Sequence, residues 1–310
     1  MTPTFGIKLA GLVPRWAPTI ADLPALTVEF EQLGADEVVS GEHILYGPDM
    51  RHPGGSGKIR HSRSEQRSDF GDLFVLFSAM AARTTTLRFC SAVVLGPAHT
   101  FALLAKQSAT LDVLSGGRFT LGVGTGWFRA EFEAVGVPYG ERRARLDEIV
   151  GACRELWLPG LSSFDGKWIS FTDLVCEPAP HTTGGPPVWW GISATTEAGA
   201  ERIAAAGDGW IASEATPADE VARSVEAIHR ACLGAGRDPA TVGTRATLAL
   251  LPASAPRSED DVFAHALASA EQLRDVGVTH FTVPLDSYEL DLEGTGRLLQ
   301  ALRHQGGNER

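Results

Sequence analysis

The chain has 310 residues, 44% hydrophobic and 21% charged, an ordinary globular composition with ample material for a core. Its formal net charge of −11 argues against a general nucleic-acid binder. No run reaches the roughly 20 apolar residues of a membrane span, and the N-terminal MTPTFGIKLAGLVPRW lacks the basic-then-apolar layout of a secretory signal. Cys90, Cys153, Cys176 and Cys232 lie far apart with no CxxC pair. Reduced, buried thiols in a cytoplasmic protein are therefore expected, and no metal site.

Strand-like and helix-like segments alternate from end to end. Segment 5–12 reads as a strand, 21–35 as a helix that Gly34 ends, and 36–44 as a strand. A helix over 71–84 leads to a strand over 87–95, and a helix over 99–117 leads to the strand RFTLGVG. The strongly periodic helix 142–157 is followed by a strand at 186–193, then a helix at 195–207 with a Thr start and a Gly stop. A strand at 208–213, a helix from Pro217 to Ala235, a strand at 244–251, a helix at 258–276, a strand at 279–285 and a helix at 292–304 complete the chain. The eight strands centre near Ile7, Val38, Cys90, Leu121, Trp189, Trp210, Leu248 and Phe281. Eight βα units of this kind close into one (β/α)8 barrel, a TIM barrel, over residues 1–310. A doubly wound sheet competes with it, but here Pro14, Arg15 and Trp16 follow the first strand, not a glycine-rich turn.

Two insertions interrupt the pattern, at about 45–70 and 159–185. Only the first is a simple βα loop, which belongs to the catalytic face of a barrel. Loops this long are more often functional than idle. The first carries Arg51, Lys58, Arg60, Arg63 and Arg67 against Asp49 and Glu65, with His52 and His61. Such a run reads either as a solvated loop or as an attractor for an anionic ligand.

Residues 115–127, SGGRFTLGVGTGW, couple a helix stop, an apolar strand and a glycine turn. Gly122, Gly124 and Gly126 allow close backbone approach. A dinucleotide fingerprint would need a third glycine where Trp127 stands, and no Gly-Lys-Ser/Thr ending marks a phosphate loop. A flat, cofactor-sized ligand near a strand end is the better reading.

LAKQSATLDVLSGGRFTLGVGTGWFRAEFEAVG (104–136) resembles the bacterial luciferase-like oxidoreductases. RRARLDEIVGACRELW (142–157), SFDGKWISF (163–171), PPVWWGIS (186–193) and GEHI (41–44) are similar to the same family. The SFDG and PPVWWGIS pair looks most like the branch that uses the deazaflavin coenzyme F-420 rather than FMN. The resemblance implies a luciferase-like α/β barrel with an insertion before strand 5, commonly a homodimer, acting on reduced flavin or deazaflavin. A flavin or deazaflavin reductase is then a possible partner, alongside a small-molecule substrate; neither nucleic acid nor a membrane is expected. The basic loop would attract an anionic substrate or the polyglutamate tail of F-420.

The resemblance also assigns residues. His43 becomes the candidate for proton transfer or for binding a substrate hydroxyl. Glu42 and Trp127 are placed at the substrate pocket, Glu42 as a structural partner rather than a catalyst. In related deazaflavin sugar-phosphate dehydrogenases an acid stands near position 127, so Trp127 argues against that alcohol oxidation. Ala92–Val93 is the implied site of a non-prolyl cis bond backing the cofactor ring; an ordinary buried strand is the alternative. Gly124, Thr125 and Gly126 would lie beside the ring or ribityl chain. Gly191, Ile192, Ser193, Ala194 and Thr195 lead into a helix whose N-terminus suits a phosphate; simple N-capping by Thr195 is the plainer reading. Asp147 and Glu148 read as packing and salt-bridge residues. Trp189 and Trp190 should face opposite sides of strand 5. The leading reading is an F-420-dependent oxidoreductase that exchanges hydride with a small organic substrate. An FMN-dependent monooxygenase is the alternative.

Overall fold

The computed structural model describes residues 3–45, 70–214, 216–252, 254–255 and 258–307. Eight parallel strands close into a barrel: β1 Thr4–Lys8, β2 Glu37–Ser40, β3 Arg88–Ser91, β4 Phe119–Gly124, β5 Val188–Gly191, β6 Gly209–Ile211, β7 Gly243–Thr247 and β8 His280–Val283. Each pairs with the next, and β8 pairs with β1, so no edge is left open. The expected TIM barrel is the observed fold.

Three local expectations are corrected. The third strand is not continuous over 87–95. It breaks at a cis Ala92–Val93 peptide bond and resumes for two residues at Val94–Leu95, which pair with Val123 and Gly124. The seventh strand ends at Thr247 rather than running to Leu251, although Leu248 N still donates to Thr282 O at 2.9 Å. A short helix, Arg129–Ala134, precedes the expected helix at Arg142–Leu156.

The insertion at 159–185 is built structure. It holds an antiparallel hairpin, Ser162–Asp165 with Ser170–Leu174. Glu148 accepts the N–H groups of Lys167, Trp168 and Ile169 at its turn, and buried Asp112 accepts from Thr182 N at 2.7 Å. These bonds fasten the insertion to the outer helices Phe101–Ser115 and Arg142–Leu156. It follows a helix and precedes a strand, so it belongs away from the catalytic face. The basic 46–68 loop lies outside the described residues.

As alternation predicts, Trp189 faces the barrel interior with Val39, Cys90 and Ile211, while Trp190 packs into the helical layer. The Trp189 indole fills the space over two glycines: a Cβ at Gly209 or Gly243 would stand 2.2 or 2.4 Å from it. Beside it, Arg245 is fully buried and ion-paired with Glu37. His280 meets the Trp189 ring edge-on at 4.7 Å. Burial, helped by the Arg245 charge, pushes the His280 pKa from 6.5 down to about 4. The folded imidazole therefore stays neutral where the unfolded one takes a proton. Its contribution is whole above pH 6.5, and about 3 kcal/mol is lost as pH falls from 6.5 toward 4. Urea unfolding across that window should show a steeper decline for the wild type than for His280→Gln. Parallel curves would remove His280 as the cause.

Candidate active site

The predicted site residues gather at the C-terminal ends of β2 to β5, the face where barrel enzymes place their chemistry. His43 follows β2. Its Nδ1 lies 3.2 Å from Oε2 of Glu131, whose side chain is only 1% exposed. Glu131 Oε1 also accepts the backbone N–H groups of Ile44, at 2.9 Å, and Leu45, at 3.2 Å. A carboxylate oxygen only accepts, so Nδ1 donates, and in the neutral ring Nε2 carries the lone pair. Phe70 and Trp127 flank the imidazole at ring distances of 5.1 and 5.8 Å, both near perpendicular. Trp127 is held by its own carbonyl, which accepts from Tyr139 Oη at 2.8 Å.

Glu131 was not singled out from sequence. It sits in RAEFEA, where Glu131 and Glu133 flank Phe132; only Glu131 is buried. The available signal was a carboxylate one residue from an apolar anchor shortly after a catalytic-face strand, and Glu133 carries that signal equally.

Glu42, read as a structural partner at the pocket, braces the segment after β3. Its carboxylate accepts from Leu95 N at 2.8 Å and faces His99 Nε2 at 2.9 Å, so both its bonds go to the segment after β3. The backbone reinforces this link, with Glu42 N donating to Val93 O.

The cis bond falls at Ala92–Val93, as the resemblance implied, and both residues are partly exposed. The glycines around it also make room for the protein's own chain. A Cβ on Gly122 would stand 1.8 Å from Ser91 O. A Cβ on Gly124 or Gly191 would meet the Val93 methyls at 2.4 or 2.5 Å. Their close approach is thus to the protein's own third strand, and Val93 is seated between two glycines. Gly126 has φ +63°, which favours glycine, and packs on the Phe132 ring. Thr125 is half-buried beside it.

At the end of β5, Ser193 and Thr195 are exposed, and their hydroxyl oxygens lie 3.0 Å apart. The helix Glu197–Ala206 is capped by Thr196, which accepts from Gly199 N, so the expected Thr195 cap is off by one. The Ser193 and Thr195 hydroxyls thus stand ahead of a capped helix N-terminus, a donor set that fits a phosphate, although Glu197 in the first turn opposes it. Ala194 is buried in the core, and Ile192 O accepts from Trp210 Nε1. These two residues anchor the loop through core contacts.

Across the mouth, Lys8 at the end of β1 is bonded to Glu214 and, at 3.0 Å, to Asp286. Burial opposes its charge, but the two carboxylates outweigh burial and raise its pKa.

Residues 5–307 match the family model described as luciferase-like monooxygenase. An uncharacterised protein of Mycobacterium tuberculosis (strain ATCC 25618 / H37Rv) is 38% identical over 168 residues, covering 54% of this chain and 58% of that protein. The matched part thus spans little over half the relative's length. The FMNH(2)-dependent dimethylsulfone monooxygenase of Pseudomonas putida is 36% identical over 118 residues, 37% of this chain and 32% of that one. An F420-dependent secondary alcohol dehydrogenase, solved in complex with an F420-acetone adduct, superposes with a TM-score of 0.76 at 14% identity. That match covers 97% of this chain and 99% of the other and speaks to fold.

Proposed function

Because the chain belongs to the luciferase-like monooxygenase family, we propose that it is an F-420-dependent oxidoreductase, exchanging hydride with a small organic substrate whose proton His43 handles. The observation that carries this reading is the His43–Glu131 pair. A buried carboxylate holds Nδ1 and leaves Nε2 as the nitrogen for a ligand, the arrangement a proton-transfer imidazole needs. When bound, the cofactor supplies the redox chemistry. Ser193 and Thr195, with the N-terminus of Glu197–Ala206, would hold its phosphate. Gly124, Thr125 and Gly126 would border its ribityl side, and Ala92–Val93 would back its ring. The FMN-dependent alternative draws support from the Pseudomonas putida relative and would use the same phosphate donors.

Titration of the purified protein with F-420 and, separately, FMN, followed by fluorescence, tests the reading. Tight binding of F-420 alone is the expected result. Preference for FMN would transfer the protein to the monooxygenase reading. Binding of neither would defeat both.

The protein is further proposed to act in the cytoplasm as a homodimer; among the described residues no helix is long and apolar enough to cross a membrane. Helices Leu73–Ala81 and Phe101–Ser115 pack side by side and expose Val75, Leu103, Val113 and Leu114. Exposed apolar side chains on paired helices suit a second copy. Leu103→Glu should convert a dimer to a monomer in light scattering; a wild-type monomer would refute the proposal.

A further inference from the structure

Glu131 reaches His43 from a segment with weak local structure. Its helix, Arg129–Ala134, has six residues and no side-chain N-cap, too short to persist on its own contacts. Its carboxylate nevertheless has to be placed closely. The side chain is 1% exposed, and burial is costly unless the carboxylate meets His43 Nδ1 and the N–H groups of Ile44 and Leu45.

The two ends of that segment are fastened to each other. Gly126 and Trp127 stand at one end, Tyr139 and Arg142 at the other. Tyr139 Oη donates to Trp127 O at 2.8 Å. Arg142 donates through Nε to Gly126 O at 3.2 Å and through Nη1 to Tyr139 O at 2.8 Å. Its guanidinium also lies 3.6 Å from the centre of the Tyr139 ring, a cation–π contact. Phe132, fully buried and next to Glu131 in the chain, fills the closed loop. Its ring stands edge-on to Tyr139 at 5.8 Å and against Gly126, where a Cβ would come within 2.6 Å of it. A compact loop with joined ends, packed by its own side chains, is an Ω-loop, a form that is frequently functional. This one brings two groups to one imidazole: Glu131 holds Nδ1 of His43, and Trp127 meets the ring edge-on.

We infer that Tyr139 and Arg142 are positioning residues for His43: by joining the ends of 126–142 they set Glu131 and Trp127 against its ring. This deepens the reading of His43 given above and rests on it. None of the clasp's bonds belongs to the strand ladder, so opening it leaves the barrel folded and lets Glu131 move off Nδ1.

The test uses the whole protein labelled with 15N-histidine and reads the exchange of the His43 Nδ1 proton with solvent. Tyr139→Phe removes one hydroxyl and keeps the ring. Arg142→Lys keeps the charge and loses the planar fork. Each should speed exchange about tenfold, the effect of one lost hydrogen bond on local opening. Tyr288→Phe is the control. It removes a like bond elsewhere, from Tyr288 Oη to Ala249 O at 3.0 Å, and should lower stability without touching the His43 proton. Unchanged exchange in Tyr139→Phe, wild-type exchange in Arg142→Lys, or equal acceleration by Tyr288→Phe would overturn the inference. A wild-type protein with no proton on Nδ1 would instead defeat the reading of His43 on which it rests.

Discussion

Glu131→Gln should lower turnover by about two to three orders of magnitude while the barrel stays folded. The glutamine can keep a carbonyl oxygen on the N–H groups of Ile44 and Leu45, which Glu131 now accepts through Oε1. Its amide nitrogen then takes the place of Oε2, the atom 3.2 Å from His43 Nδ1. An NH2 group donates, so Nδ1 must become the acceptor and the ring proton must move to Nε2. His43 would still stand in place, but with a donor where a ligand requires an acceptor. Proton transfer by a positioned side chain is worth typically about 10²–10⁴-fold, and a wrong tautomer forfeits most of it. Three measurements separate this from simple damage. Circular dichroism should be unchanged, turnover should fall, and 15N spectra should show the imidazole proton on Nδ1 in the wild type and on Nε2 in the variant. A wild-type protein with its proton on Nε2 would end the argument. Glu131→Ala is a harsher change, because it strips the acceptor from two backbone donors and from His43. It should cost about 2–4 kcal/mol of stability as well as activity.

The barrel was legible because each of its strands is a short apolar run between turn residues, and the run survives whatever the tertiary contacts do. Trp189 and Trp190 show this: alternation alone assigns one to the interior and the other to the helical layer, as observed. The site was legible only where position on a strand end decides it, as for His43. It was illegible where two neighbours carry equal signals. Thr195 and Thr196 are both fit to cap a helix, and Glu131 and Glu133 are both fit to be buried; packing chose Thr196 and Glu131. The Arg245–Glu37 pair joins residues 208 apart in the chain, and nothing local to either announces it. The hairpin within 159–185 was hidden by its composition, since arms of four and five residues among Gly, Pro, Ser and Thr leave no readable period. The glycines are the most instructive case. Gly122, Gly124 and Gly191 do announce that a Cβ is forbidden, but a sequence does not say what occupies the space. At Gly124 and Gly191 it is Val93, and the cis-bonded segment is therefore positioned by glycines one and two strands away.

Gly122 makes the second large prediction. The glycine lies in the middle of β4, fully buried, where that strand meets the end of β3. Ser91 Oγ donates to Gly122 O at 2.9 Å and accepts from Gly122 N at 2.8 Å, so a side chain closes the ladder where β3 turns into the cis segment. An alanine methyl at 122 would lie 1.8 Å from Ser91 O and 2.7 Å from the Ile211 side chain. Ile211 can shift a little, but a backbone oxygen in a closed barrel can yield only if β3 and β4 separate. That would break both Ser91 bonds and unseat Val93 from Gly124 and Gly191. Overpacking of a core costs about 1–3 kcal/mol when side chains absorb it, and two buried groups left unbonded add about 1–3 kcal/mol each. Gly122→Ala should therefore lose about 4 kcal/mol or more, a large share of a domain's stability. Ser91→Ala isolates the hydrogen-bond share and should lose about 2–3 kcal/mol. Gly140→Ala, with nothing within 4 Å of its Cβ and no positive φ, should be neutral. Urea denaturation of the three variants checks the ranking. A Gly122→Ala protein as stable as Gly140→Ala would mean that β3 and β4 do not approach this closely, and that the seat of Val93 is not built as described.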